Sequence, residues 1–269
     1  MALEILPFLA FLLVFYLFPL LRLIKFSFFD PGFTLKHYVH VYKVPCYLRV
    51  LWTTLKISLI VTASCLVLGY PLAYFLVHLR ERTRNILFIF VIMPFFTSFL
   101  VRTYAWMALL GRNGVINNLL RAMGVITVPL KLMHNMFGVN VGMTHVLLPF
   151  MILPLYSVMK GIDRNLIKAA QNLGATPYQS FWKVFFPLSL PGMGAGIILV
   201  FILSIGFYIT PSLLGGLKET MLSQLIYNTV NDLLNWGFAS VLALILIVTV
   251  LIILGIFNRF LSLDKIWGS

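Results

Sequence analysis

Seven acidic side chains are all that the 269 residues carry, against twenty Lys and Arg. Glu4, Asp30, Glu81, Asp163, Glu219, Asp232 and Asp264 all lie at the ends of apolar runs or between them. No carboxylate therefore stands inside an apolar run, where an ion-gradient-driven carrier would want one. Cysteine is equally scarce. Cys46 and Cys65 support neither a disulfide framework nor a thiolate metal site, and Cys65 reads as a small packing residue. His37 and His40 share a segment but lack a third ligand. No phosphate-cradling G-x-x-x-x-G-K-[ST] loop occurs, so the chain does not bind ATP by that route; the "GGLKET" at Gly215 lacks both the spacing and a preceding strand. No Ser/His/Asp set is placed for nucleophilic catalysis. These absences predict a chain with no catalytic residues, no metal and no cofactor of its own.

What is present is hydrocarbon. Hydrophobic residues make up 61% of the chain and charged ones 10%, with a mean hydropathy of +1.01; soluble domains carry about 25% charged residues. The net charge of +13 comes without the basic, aromatic-studded stripe of a nucleic-acid surface. It fits helix ends beside anionic headgroups instead. Six runs approach the roughly 20 residues that a membrane-spanning helix needs: Leu3–Ile24, Leu55–Leu79, Ile86–Leu110, Val139–Val158, Met193–Leu214 and Phe238–Phe257. The expected fold is all-α and polytopic, one transmembrane domain over residues 1–269. Met1–Ile24 has no basic leader and no small-residue cleavage pattern, and reads as a first membrane helix.

Six spans put both termini on one side. The distribution of Lys and Arg is nearly balanced between the two faces, and only the density of "HLRERTRN" favours termini inside. Prolines 19, 71, 94, 149, 154 and 211 fall within runs. A helix bundle in lipid tolerates them, because neighbours and local adjustments satisfy the freed backbone groups, and each predicts a kink.

One segment breaks the pattern: "NLIKAAQNLGATPYQSFWKVFFPLSLPG", Asn165 to Gly192. Asp163 is placed to cap a helix, with Leu166, Ala170 and Leu173 along one face. Gly174 sits where a left-handed terminator belongs. Thr176-Pro177 then offers a cap and a proline at the first helical position. Tyr178, Phe181, Trp182 and Phe185 follow at helical spacing, and Pro187 and Pro191 are expected to end this second helix. Such an ordered connection either projects toward a soluble partner or lies flat on the bilayer.

The stretch "KAAQNLGATPYQSFWKVFFPLSLPG" resembles the EAA signature of ATP-binding-cassette importer permeases of type I. Ala169, Ala170, Gly174 and Pro191 match the pattern, while Lys168 replaces its glutamate. "RTYAWMALLGRNGVINNLL" and "YITPSLLGG" are similar to segments of the spermidine/putrescine-type branch. The resemblance implies that residues 161–191 form a cytoplasmic loop coupled to an ATPase, with Asp163, Lys168, Ala169, Ala170, Gly174, Ala175, Pro177, Phe181 and Pro191 at the contact. It implies two ATPase subunits that bind ATP and Mg, a second and homologous permease, and an external solute-binding protein. It also implies a bacterial inner-membrane location with both termini cytoplasmic. A polyamine-like solute is the expected cargo; another small organic, zwitterionic or anionic solute is the alternative.

For the solute pathway the candidates are Arg102, Tyr104, Trp106, Tyr208 and Thr210. Aromatic faces and hydroxyls accept a passing cation, although the aromatics also suit an interfacial belt. Arg102 reads either as a cation-repelling lining or as a side chain snorkelling to the outer headgroups. Gly192, Gly194 and Gly196 read either as close-packing positions or as a hinge.

Overall fold

In hydrocarbon a backbone has no water to bond, so each apolar run must satisfy its own N–H and C=O groups by coiling. The computed structural model describes residues 11, 13–29 and 32–261, and among these there is no named strand. A π turn, Leu13–Leu17, leads into α1 (Phe18–Phe28). There follow α2 (Lys36–Lys43), α3 (Pro45–His78), α4 (Glu81–Ile92), α5 (Phe99–Leu110) and α6 (Val115–Ala122). The chain continues with α7 (Met136–Gly161), α8 (Arg164–Asn172) and α9 (Pro177–Ile205). It ends with α10 (Ile209–Leu214), α11 (Leu222–Asn231) and α12 (Trp236–Leu261).

Four of these are long and apolar enough to cross a membrane: α3, α7, α9 and Trp236–Phe257 of α12. A bent pair, Glu81–Phe96 and Phe99–Ala122, raises the number to five if it is one span. Of the expected first span, Leu3–Ile24, residues 3–10 and 12 fall outside the described residues, as do Glu4, Asp30 and Asp264.

The core is a cluster of three helices, α3, α7 and α9, each packed on the other two. Ile57, Cys65 and Leu76 of α3 meet Met143, Met151 and Leu155 of α7, all fully enclosed. Glycines set the closeness. A Cβ on Gly192 would fall 2.8 Å from Val158 Cβ and 3.0 Å from the Pro154 carbonyl. One on Gly196 would fall 2.6 Å from Met151 Sδ. Both glycines are buried within one unbroken α-helical segment, Phe186–Ile205, so their role here is close packing, as small residues provide between membrane helices. Outside this cluster, α12 packs on α1 and α11, and α10 bridges α5 and α7.

Three expected boundaries move. The span expected at Ile86–Leu110 is interrupted: Met93–Phe96 tightens to a 3-10 turn around Pro94, Thr97 is extended, and the two halves meet at 102°. Pro94 denies the ladder an N–H, and Thr97 recaps the end through Oγ1 to the Pro94 carbonyl at 3.0 Å. The span expected at Met193–Leu214 instead stops at Ile205, and Gly206 to Tyr208 separate it from α10. Pro211 then falls in the first turn of α10, where a missing N–H costs nothing.

The third concerns Pro187 and Pro191, which do not end the second amphipathic helix. Residues Phe181–Phe185 form a π turn in which the Phe186 N–H reaches back five residues to the Phe181 carbonyl. That register slip takes up the position where Pro187 offers no donor. Helix therefore runs unbroken from Pro177 to Ile205. In the same way α3 runs through Pro71 and α7 through Pro149 and Pro154.

At the opposite end of α7 from Gly161, the 111–134 segment is held by one buried amide. Asn117 Nδ2 donates to the carbonyls of Gly111 (3.1 Å) and Leu130 (3.0 Å), and its Oδ1 accepts from the Leu130 N–H (2.9 Å). Asn117→Ala leaves these groups unpaired at a cost of about 1–3 kcal/mol for a buried polar group. A lower melting temperature in detergent is expected, with Asn117→Asp no better, because a carboxylate cannot donate to the two carbonyls.

Candidate functional site

The segment between α7 and α9 is built by local signals. Asp163 caps α8 by accepting from the Asn165 N–H at 2.9 Å. Helix α8 closes in a Schellman arrangement: Gly174 N–H donates to the Gln171 carbonyl (2.9 Å) and Ala175 N–H to the Ala170 carbonyl (3.0 Å). Gly174 takes φ +89°, a left-handed conformation that costs other residues about 1–2 kcal/mol. Thr176 and Gln179 then form a reciprocal capping box, with Pro177 at the start of α9.

This segment is pinned to the bundle from one side. Arg164 Nη2 donates to the Val77 carbonyl in the last turn of α3 at 2.9 Å. Phe181 and Phe185 pack edge-on against Tyr74, with ring centroids 5.4 and 5.1 Å apart. Tyr70 Oη and Ser189 Oγ are 2.9 Å apart. Ile167 joins the core contacts.

The outer side is apolar and open. Leu166 and Leu173 are 47% and 90% exposed, and Tyr178 and Trp182 are 73% and 46% exposed. The sequence left open which way each face turns. Leu166 and Leu173 point away from the bundle while Ile167 faces it. The aromatic series divides, Phe181 and Phe185 inward, Tyr178 and Trp182 outward. Lys168 and Ala169 lie on the exposed part, Ala170 and Ala175 are half-buried, and Pro191 is half-buried inside α9.

The pathway candidates do not form one cluster. Trp106 opens onto a groove of about 700 Å³ between α3, α5 and α7. Its ring meets that of His145 edge-on at 5.7 Å. Beside them Asn140 joins Ser64 (3.1 Å) and Thr144 (3.4 Å), and no carboxylate lines the groove. Arg102 is packed inside the bundle. It is buried, its guanidinium lies 4.8 Å from the Phe99 ring, and its Nε has no hydrogen-bond partner. The proline-rich bend around Pro94 and Pro149 encloses it, so snorkelling is ruled out in this conformation. Thr210 is buried with its Oγ1 3.2 Å from that of Thr103. Tyr208 stacks on Tyr227 at 4.4 Å, and Tyr104 is exposed on α5. The polar groups at Ser64, Asn140, Thr144 and His145 were not anticipated. Asn140 and Thr144 at i and i+4, followed by a histidine, in an otherwise apolar run was the available signal.

The profile of the family described as the binding-protein-dependent transport system inner membrane component matches residues 65–263. The chain belongs to that family. This permease is 34% identical to the spermidine/putrescine transport system permease protein PotB of Haemophilus influenzae, over 87% of this chain and 81% of that protein. It is 36% identical to PotB of Salmonella typhimurium, again over 87% and 81%. A crystal structure of a bacterial ABC transporter involved in the import of the acidic polysaccharide alginate contains a chain of the same fold. Its TM-score is 0.76 at 19% identity, covering 97% of this permease and 94% of that chain. The protein is a non-catalytic, multi-pass inner-membrane permease subunit of an ABC importer. Among its described residues no group of three His, Cys, Asp or Glu is placed to hold a metal.

Proposed function

We propose that this permease forms half of the pathway of a polyamine importer and is driven from the cytoplasm through residues 161–191. The observation that carries the reading is the two-sided loop: one face bonded to α3 through Arg164 and Tyr74, the other presenting Leu166, Leu173, Tyr178 and Trp182 with nothing over them. Exposed apolar patches rimmed by polar residues mark protein contacts. The partner is an ATPase that binds ATP and Mg, two copies serving two permeases, the second permease a different but homologous chain. Both termini then lie in the cytoplasm, on the loop's side. Outside, a solute-binding protein delivers the cargo, and identity with PotB over most of the chain supports spermidine or putrescine as that cargo. The groove at Trp106 suits a cation through the indole face and through the Asn140 carbonyl oxygen.

Purification of the tagged chain from its native cell in mild detergent, followed by mass spectrometry, tests this. A second permease and an ATPase with a phosphate-binding loop are the expected companions. Recovery of the chain alone, under conditions that keep other such complexes whole, would overturn the coupling reading. Loss of α8 surface residues without any change in ATPase activity would point instead to a loop that rests on lipid.

A further inference from the structure

A second, open groove of about 460 Å³ lies between α4, with the turn that follows it, and the last turns of α7. Arg84, Phe88 and Ile92 recur every four residues along α4, so they stand one above another on a single face. From Arg84 to Ile92 this face climbs about 12 Å at the helical rise, most of one leaflet of a roughly 30 Å hydrocarbon core. Its shallow end is polar: Arg84 and Asn85 from α4, Lys160 from α7. Its deep end, toward Phe96, is entirely apolar.

The charge at the shallow end is basic on balance. Glu81 lies 3.6 Å from Arg84 with its side chain 80% exposed, while Arg80 and Arg82 flank it and Lys160 faces across. Lys160 Nζ stands 5.9 Å from the Tyr156 ring, which places the ammonium among the residues that line the groove. A basic rim at the membrane surface above an apolar channel of leaflet depth has the polarity of one molecule type. We propose that this groove holds an anionic phospholipid, its phosphate between Arg84 and Lys160 and one acyl chain along Phe88 and Ile92. The assignment rests on the permease lying in a bilayer and not on its cargo.

The position matters for transport. Lys160 lies in the last turn of α7, and Arg164, which opens α8 beyond the extended Ile162 and Asp163, is the residue that ties the exposed loop to Val77. A lipid phosphate at Lys160 would stand at the end of α7 from which that loop departs.

The test uses the complete importer in nanodiscs of phosphatidylglycerol and phosphatidylcholine in equal amounts, with native mass spectrometry of the lipids retained on release. Wild type is expected to retain phosphatidylglycerol in preference. Arg84→Gln with Lys160→Gln should lower that preference by roughly twenty-fivefold, each basic group at the surface being worth about fivefold. Ile92→Trp, which fills the channel and leaves the charges alone, should lose bound lipid of either kind. Unchanged retention in either assembled variant overturns the proposal; if the double variant fails to assemble, Ile92→Trp decides alone. The proposal also falls if Ile89→Cys cross-links to the second permease and wild type retains no lipid, since the groove would then be a subunit seam.

Discussion

Gly174→Pro is expected to reduce ATP-driven solute uptake to background while the solute-binding protein still binds its ligand. The reason is local and covalent. Gly174 holds φ +89° and gives its N–H to Gln171; proline fixes φ near −65° and has no N–H to give. The Schellman closure fails, α8 no longer turns back at Ala175, and Leu173 and Tyr178 lose their fixed separation on the outer face. Gly174→Ala keeps the N–H and pays only the left-handed penalty of about 1–2 kcal/mol, and so should retain most of the transport. Uptake of labelled solute into proteoliposomes, with ATPase activity recorded in parallel, separates the two variants. Uptake by the proline variant at wild-type rate would remove the loop from the driving path.

Gly192→Val should act on assembly and not on coupling. Its first side-chain carbon alone would approach Val158 Cβ to 2.8 Å and the Pro154 carbonyl to 3.0 Å, and the two further methyl groups have no free space between α7 and α9. Overpacking of this kind costs about 1–3 kcal/mol when neighbours yield, and here one neighbour is backbone. The expected result is a lower melting temperature and little intact complex on size exclusion. Gly255→Val, at a position with nothing within 4 Å, serves as the control and should be silent. Normal yield and melting for Gly192→Val would mean that α7 and α9 separate more easily than their packing suggests.

The loop was legible in the sequence because its signals are local. Asp163, Gly174 and the Thr176-Pro177 pair each act within a few residues through backbone bonds, and each does so in the structure. Which face turns inward was not legible. Leu166 and Leu173 are as apolar as Ile167, and only the position of α3 decides that Ile167 is covered; an apolar residue kept for a partner looks the same as one kept for a core. Pro187 misled for a related reason. Proline reports a missing donor, but whether the helix stops or slips by one residue at Phe181–Phe185 depends on the aromatic packing of Phe181 and Phe185 against Tyr74. Arg102 was noticed, but its enclosure beside Pro94 and Phe95 was not legible, because that exists only once the bend at Thr97 has formed.

The unbroken course of α9 has a mechanical consequence. Gly192, one of the glycines packed closely on α7, divides the helix into arms that end at Pro177 and at Ile205. At the helical rise these arms measure about 22 and 20 Å. A rigid beam resting on a fulcrum near its midpoint moves its two ends in opposite directions. A tilt of roughly ten degrees about Gly192 would carry each end of those arms by about 4 Å, the Pro177 tip one way and the Ile205 tip the other. Opening on one face of the membrane and closure on the other would then be a single displacement of one lever.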